Sequence, residues 1–540
     1  MVRIALAGLV ALASSTWALQ TLPIPISQLK KQAQADALIK RQSTSPSYQE
    51  HYLEVPIDHF HNDTKYEPHS NGTFGLRYWF DAQFYQPGGP VFVLSAGETN
   101  GEGRFPFLQK GIIYEVTKAV GGLGVILEHR YYGRSLPVSD FNTDSLRFLT
   151  TEQALADTDY FAKNVVFEGL EDVDFSPEVT PWIAYGGSYA GAFVAFLRVV
   201  YPDTFFAAIS SSGVPVAIWD YWEYFEGARV FGPPVCTETT GKLTNVVDNI
   251  LLNETLSGYV SQLKDAFGLG RLSDNTDFAA AIRGGIYSLQ SYNWDPEISS
   301  NEFFDYCDTV SNDTNQFPEL EDRRESVAEL IEVGGWGDEA DVLTDRMLNY
   351  IGTLGPSIAS CGGDQDECFG TTDVEFYALN DTSQTWRLWP YQVCTEWGYL
   401  QTGSGAPSDI LPMISRLVDL EYSSRICTLG FGFHTPANTT AINKYGGFNI
   451  SYPRLAWLDG EWDPWRAAGV QALTQPPRES TPSEPVILID DAVHHWDENG
   501  VFCNETRPGV PPQQVRDAKR EIRRFVREWL TEWEPVRQMN

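Results

Sequence analysis

Trp182-Ile183-Ala184-Tyr185-Gly186-Gly187-Ser188-Tyr189-Ala190-Gly191 is a short apolar run that meets a serine set among small residues. A second apolar run extends from Ala192 to Val200, with Phe193, Phe196, Leu197 and Val200 at helical spacing. The pattern is that of a nucleophile elbow, in which a strand turns sharply into a helix and only small neighbours let the two backbones pass. Gly186 stands two residues before Ser188; two residues after it the usual G-x-S-x-G pattern has glycine, and this chain has Ala190, then Gly191. Pro202 is placed to stop the helix. A Gly-Gly-Ser tripeptide alone is as often a loop as an elbow, so a matching acid and base later in the chain must decide between them.

The region from His51 to about Ser212 alternates strand-like and helix-like segments. Thr73 to Tyr85 reads as a strand or hairpin, and Val91 to Ser95, Val125 to Leu127 and Ala207 to Ile209 read as short apolar strands. Strands separated by helical stretches indicate parallel pairing and an α/β sheet. Between Gly213 and Asn449 the character changes to amphipathic helical segments, such as Glu321 to Ile331 and Asp341 to Ile351, with Gly/Asp-rich loops and six cysteines. This is the pattern of a helical, disulfide-tied insertion. Short apolar strands resume at Arg454 to Leu458 and Val486 to Ile489, and Gln513 to Trp533 reads as an amphipathic helix packed on the sheet.

In α/β hydrolases the catalytic residues come in the order Ser, Asp or Glu, His, on loops at the carboxyl ends of strands. Five of the eight histidines precede Ser188 and His434 falls within the insertion, which leaves the adjacent pair His494 and His495. The acid belongs after the preceding strand, where Leu458-Asp459-Gly460-Glu461-Trp462-Asp463-Pro464-Trp465 offers Asp459, Glu461 and Asp463. Spacing alone does not choose within either set. The oxyanion of an acyl-transfer intermediate needs two backbone donors: Tyr189, the residue after the serine, and one from the loop at Gly97 or Glu98.

Met1 to Ala18 has a basic residue at Arg3, an apolar run and small residues at its end, the form of a secretory signal peptide. Lys40-Arg41 is a dibasic pair, so residues 19–41 read as a propeptide and 42–212 as the first part of the hydrolase core, followed by the 213–449 insertion and a second core part at 450–540. Secretion is supported by glycosylation sequons at Asn62, Asn71, Asn253, Asn312, Asn380, Asn438, Asn449 and Asn504. In an oxidising compartment Cys236, Cys307, Cys361, Cys368, Cys394 and Cys427 are expected to pair among fifteen possible connectivities, with Cys503 standing apart. No second apolar run of spanning length exists beyond the signal segment, so no membrane span is expected in the mature chain. The formal charge of −34 argues against nucleic acid as a partner. No His-Glu-x-x-His, Gly-Lys-Ser/Thr loop or dinucleotide fingerprint is present, and neither metal nor cofactor is expected.

The chain resembles the S28 family of prolyl-specific serine peptidases, which includes lysosomal Pro-X carboxypeptidase, dipeptidyl peptidase II and fungal secreted prolyl endopeptidases. The resemblance runs from about Tyr52 to the C-terminal helix. Its most specific pieces are Glu128-His129-Arg130-Tyr131-Tyr132-Gly133-Arg134-Ser135, Gly186 to Gly191, Asp459 to Trp465, and Ala492-Val493-His494-His495-Trp496-Asp497. It implies nucleophile Ser188, acid Asp463, base His494, and a cap made by the cysteine-rich insertion. It also implies cleavage after proline in peptide substrates, at acid pH. Trp465 is then the candidate wall of a proline pocket, with Glu396 and Trp397 as candidates from the cap. Many members carry Gly-Gly-Glu-Gly where this chain reads Ser95-Ala96-Gly97-Glu98-Thr99. A glutamate there can hold a substrate amino terminus, so the altered context favours carboxypeptidase-like action. Endopeptidase or dipeptidyl peptidase action, and an esterase or lipase on the same fold, are the rival readings.

Overall fold

The computed structural model describes residues 24–33, 48–502, 504–505 and 507–537. The predicted signal peptide, the dibasic pair and Cys503 lie outside these.

Eight strands form the central sheet. β1 (His51–Pro56) pairs antiparallel with β2 (Thr73–Asp81), and β2 pairs antiparallel with β4 (Leu123–Leu127). From β4 onward the pairing is parallel, through β3 (Val91–Ser95), β5 (Trp182–Gly187), β6 (Phe205–Ser211), β9 (Leu455–Gly460) and β10 (Val486–Ile489). The resulting order is β1-β2-β4-β3-β5-β6-β9-β10. Every residue of β4, β6 and β9 is buried, as expected of parallel strands covered on both faces. This is the α/β-hydrolase architecture, and the loops that carry Ser188, Asp463 and His494 leave the carboxyl ends of β5, β9 and β10.

The helix Tyr189–Val200 is buried from Tyr189 to Arg198 and ends two residues before Pro202. The C-terminal helix Gln513–Arg537 packs against the helix Ile112–Val120 and β10, with Ile522, Phe525 and Trp529 buried and Lys519 and Arg523 both reaching Glu115.

Between β6 and β9 lies the insertion. It is helical, as predicted, but also holds a two-stranded parallel pair, β7 (Ile218–Asp220) and β8 (Gly398–Leu400). Three disulfides tie it together: Cys236–Cys307, Cys361–Cys368 and Cys394–Cys427. The first joins the helix Pro234–Leu252 to the helix Glu302–Val310. Residues 24–33 also belong to this half of the molecule: Ile24, Ile26 and Leu29 are buried, Ile26 N donates to Gly370 O (3.2 Å) and Ser27 Oγ to Cys368 O (2.5 Å). All eight sequon asparagines are exposed. Among the described residues no helix is long and apolar enough to cross a membrane.

Candidate active site

β5 ends at Gly187, and Ser188 takes φ 62°, ψ −125° before the helix Tyr189–Val200 begins. A side chain at positive φ is strained and persists only where its surroundings over-determine it. Here Ser188 N donates to Ser211 O (2.9 Å), while Ser188 O accepts from Gly191 N (2.9 Å) and Ala192 N (3.1 Å). Gly186 is required by contact: a Cβ there would lie 2.2 Å from Ala190 O. The methyl of Ala190 has room on the side of Gly97, where even an added Cβ would stand 3.4 Å from it. That places the Gly97-Glu98 loop beside the elbow. Tyr189 opens the helix, so its backbone N–H has no partner within the helix.

His494 comes after β10 and brings Nε2 to 2.8 Å from Ser188 Oγ, with Nδ1 2.8 Å from Asp463 Oδ2. Asp463 comes after β9 and caps the helical turn Pro464–Ala468, its Oδ1 accepting from Trp465 N at 2.9 Å. Ser188, Asp463 and His494 are 1%, 3% and 4% exposed, so the geometry is shielded from bulk water. Burial pushes the Asp463 carboxyl upward. The His494 imidazole, the Trp465 N–H and the Ser212 hydroxyl outweigh it and hold the group below its usual range. Burial pulls His494 below its ordinary value by more than Asp463 raises it, and His495 adds to the lowering. A neutral imidazole facing a hydroxyl is the state that can accept its proton.

The alternatives left open by spacing are thereby separated. Asp459 accepts from Gln471 Nε2 (2.7 Å), and burial pushes it up to about 7. Glu461 accepts from Asp491 N (3.1 Å). His495 turns aside at φ 36°: its backbone N donates to Ser212 Oγ (2.9 Å) and its Nδ1 lies 3.0 Å from Glu498 Oε2.

Several residues around the elbow escaped the sequence reading. Tyr185 and Ser211, from β5 and β6, both donate at 2.5 Å to Asp497, which is buried just past the two histidines. Behind the serine runs a chain of hydrogen bonds with a fixed direction. His129 Nδ1 faces Arg130 O (2.8 Å) and must donate to it, so Nε2 accepts from Tyr189 Oη (2.9 Å). Gln392 Nε2 donates to the same hydroxyl (3.1 Å), and Tyr132 Oη donates to Gln392 Oε1 (2.6 Å). Burial lowers His129 to about 4, which keeps it neutral in this arrangement. Glu128 and Arg130 of the same stretch pair with Arg77 (2.7 Å) and Asp157 (2.6 Å). The stretch thus serves as an anchor for the floor under Ser188. The partner Gln392, 203 residues from Tyr189, lay beyond any local signal.

The three expected pocket residues are placed differently from one another. Trp465 stacks on Tyr221 with ring centres 5.3 Å apart, meets Tyr224 and Tyr399 edge-on, and donates to Gln290 Oε1 (2.8 Å). Glu396 Oε2 instead accepts from the Thr151 N (2.9 Å) and Oγ1 (3.1 Å), at the start of the helix Thr151–Asn164. Trp397 Nε1 donates to Thr151 Oγ1 (3.2 Å), and its ring meets that of Tyr189 at 5.2 Å.

A strained serine on a strand-to-helix turn, a buried imidazole on its hydroxyl and a carboxylate behind the imidazole define a serine hydrolase of the α/β-hydrolase fold. Comparison with known proteins narrows the class. Residues 56–335 and 359–508 match the family model described as serine carboxypeptidase S28, and the chain belongs to that family of serine-type peptidases. It is 50% identical over 516 residues to a probable extracellular serine carboxypeptidase of Arthroderma benhamiae, covering 94% of this chain and 72% of that one. It is 26% identical to the thymus-specific serine protease of Mus musculus, covering 89% and 87%.

Proposed function

We propose that the chain is a secreted serine carboxypeptidase that hydrolyses the bond on the carboxyl side of proline, with Ser188 as nucleophile, His494 as general base and acid, and Asp463 as its orienting carboxylate. The observation that carries this reading is the continuous pair of 2.8 Å contacts from Ser188 Oγ through His494 to Asp463. His494 Nε2 takes the hydroxyl proton as Ser188 Oγ attacks the scissile carbonyl, and Asp463 stabilises the imidazolium that forms. The backbone N–H groups of Tyr189 and of the Gly97-Glu98 loop receive the developing oxyanion, and loss of one such donor costs roughly 3 kcal/mol. His494 then protonates the leaving amine, the proline-ended acyl-enzyme remains, and water activated by the same imidazole releases it. Three observations support secretion and carboxyl-terminal action. These are the likeness to the extracellular carboxypeptidase of Arthroderma, the exposure of all eight sequon asparagines, and the paired cysteines. Proline specificity is supported by the motifs shared with the prolyl-specific peptidases; Trp465 itself is 1% exposed and packs among Tyr221, Tyr224 and Tyr399, which makes it a support for the acid loop. Activity in acid is supported by the lowered His494, which stays neutral below the ordinary imidazole range.

One proline-containing peptide in four forms tests the reading: free ends, N-acetylated, C-amidated and doubly blocked, digested in mild acid and followed by mass spectrometry. Cleavage after proline only where the carboxylate is free is the expected result. Cleavage of all four forms makes the enzyme an endopeptidase, a requirement for a free amine makes it a dipeptidyl peptidase, and hydrolysis of simple esters alone overturns the peptidase reading.

A further inference from the structure

The segment between β1 and β2, residues 57–72, holds three histidines that the hydrolase chemistry does not use: His59 pairs with Asp157 (2.7 Å), while His61 and His69 gather with Asp58. Asp58 is 2% exposed, although an isolated buried carboxylate is costly. Its Oδ1 is occupied, accepting from Phe60 N (2.9 Å) and Gln153 Nε2 (2.8 Å), which leaves Oδ2 aimed at His69 Nδ1 at 2.7 Å. By itself that is an ordinary Asp–His pair. The additional feature is His61, whose ring centre lies 5.3 Å from that of His69 and whose nitrogens make no hydrogen bond to the described residues. One ligand atom each from Asp58, His61 and His69 can be chosen so that all three lie within 4.8 Å of one another. Ligands at about 2.0–2.2 Å around one ion stand some 3.3 Å apart, so each side chain has to shift by less than roughly 1 Å to share it.

The scaffold is built to hold them there. Asp63 caps the turn Thr64–Tyr66. Arg147 clamps the segment by donating to Tyr66 O (3.2 Å) and Pro68 O (2.6 Å), and Gln153 fixes both Asp58 and His59 N. An outer partner that orients a ligating carboxylate is a regular component of protein metal sites.

We propose that Asp58, His61 and His69 bind a single divalent transition ion of the zinc type. Two imidazoles and one carboxylate suit zinc, copper or nickel and are a poor set for calcium or magnesium, which take oxygen ligands. Binding replaces the proton shared between Asp58 and His69, which is released, and water fills the position left open on the exposed His61 side. Through Gln153 the ion ties the β1–β2 segment to the helix Thr151–Asn164, so its role is structural and independent of how the catalytic site is read.

The test uses the purified full-length secreted chain, stripped with chelator and equilibrated against zinc chloride, with bound metal measured by mass spectrometry and unfolding followed with and without zinc. One zinc ion per chain and a zinc-dependent rise in Tm are expected. His61→Ala is the decisive variant, because the exposed ring makes no hydrogen bond to the described residues and its loss is expected to leave the fold intact. It is expected to weaken zinc binding by at least the roughly 10–100-fold that losing an outer partner costs, and to remove the rise in Tm. His69→Ala is expected to do the same to the zinc-dependent difference whatever its baseline stability. Absence of bound zinc in the wild type overturns the proposal. So does undiminished binding by His61→Ala, which would place the ion elsewhere, for instance on His494 and His495.

Discussion

The sheet and the cap bring residues to the same site by different physical means. On the sheet side, backbone geometry does it: Ser188, Asp463 and His494 stand at the ends of β5, β9 and β10, and each needs only its own turn to face the others. On the cap side, placement depends on side chains meeting over long sequence distances. Gln392 reaches Tyr189 and Tyr132 at the elbow. Gln290 holds Trp465 at the acid loop, where Tyr221 Oη also donates to Pro464 O (3.0 Å). At the base loop two indoles bond across the boundary, Trp294 Nε1 to Trp496 O (2.8 Å) and Trp496 Nε1 to Tyr292 O (3.0 Å). Each reactive loop therefore has its own fastening to the cap. The sheet supplies the geometry of the triad, while the cap fixes the orientation of the loops that carry it.

The largest test strikes the sheet side. Ser188→Ala and His494→Ala should each lower kcat by roughly a thousandfold or more while leaving the unfolding transition in place, whereas His495→Ala should retain most turnover. Assays of the three purified variants on one peptide decide it; a His495→Ala enzyme as inactive as His494→Ala would break the assignment of the base. The next test strikes the cap. Replacing Cys236 and Cys307 together by serine opens a bridge spanning 71 residues and should cost about 4 kcal/mol, against about 2 kcal/mol for Cys361 and Cys368, which span 7. Thermal or urea unfolding measures both. If the cap orients the loops, kcat should fall with the first pair; unchanged kcat in a chain whose cap has loosened would sever the link between the halves.

The smallest effect sharpens the boundary between them. His495 lowers His494, so His495→Gln should let His494 rise. A base with a higher pKa becomes protonated at higher pH, and the acid limb of the kcat/KM profile should therefore move upward, with the plateau little changed. A limb that stays in place or moves downward would show that His495 carries no charge felt by His494.

How much could be read beforehand falls along the same division. Val91–Ser95 and Val486–Ile489 are strands to the residue as the apolar runs indicated, and the elbow and the acid and base loops come from chain order. β1 went unread because His51 to Pro56 is a half-exposed antiparallel strand without an apolar run. Spacing could not choose His494 over His495; the family motif favoured His494, and the structure adds the turn at φ 36° that carries His495 aside. The disulfide pairing and the partners Gln392, Gln290 and Trp294 rest on packing between distant segments. Glu396 and Trp397 looked like cap residues facing substrate, yet both direct their polar atoms to Thr151, a contact across 245 and 246 positions that no local pattern reports.

The backbone of Ser188 has a consequence for how this protein can change. A residue with a side chain at φ 62° costs on the order of 1–3 kcal/mol, and glycine would relieve it. With Ser188 as the proposed nucleophile, this is a position where the fold would be more stable without its chemistry, and stability and turnover should move in opposite directions in Ser188→Gly, with Tm rising as activity disappears. Selection for durability alone would not keep a side chain at this position.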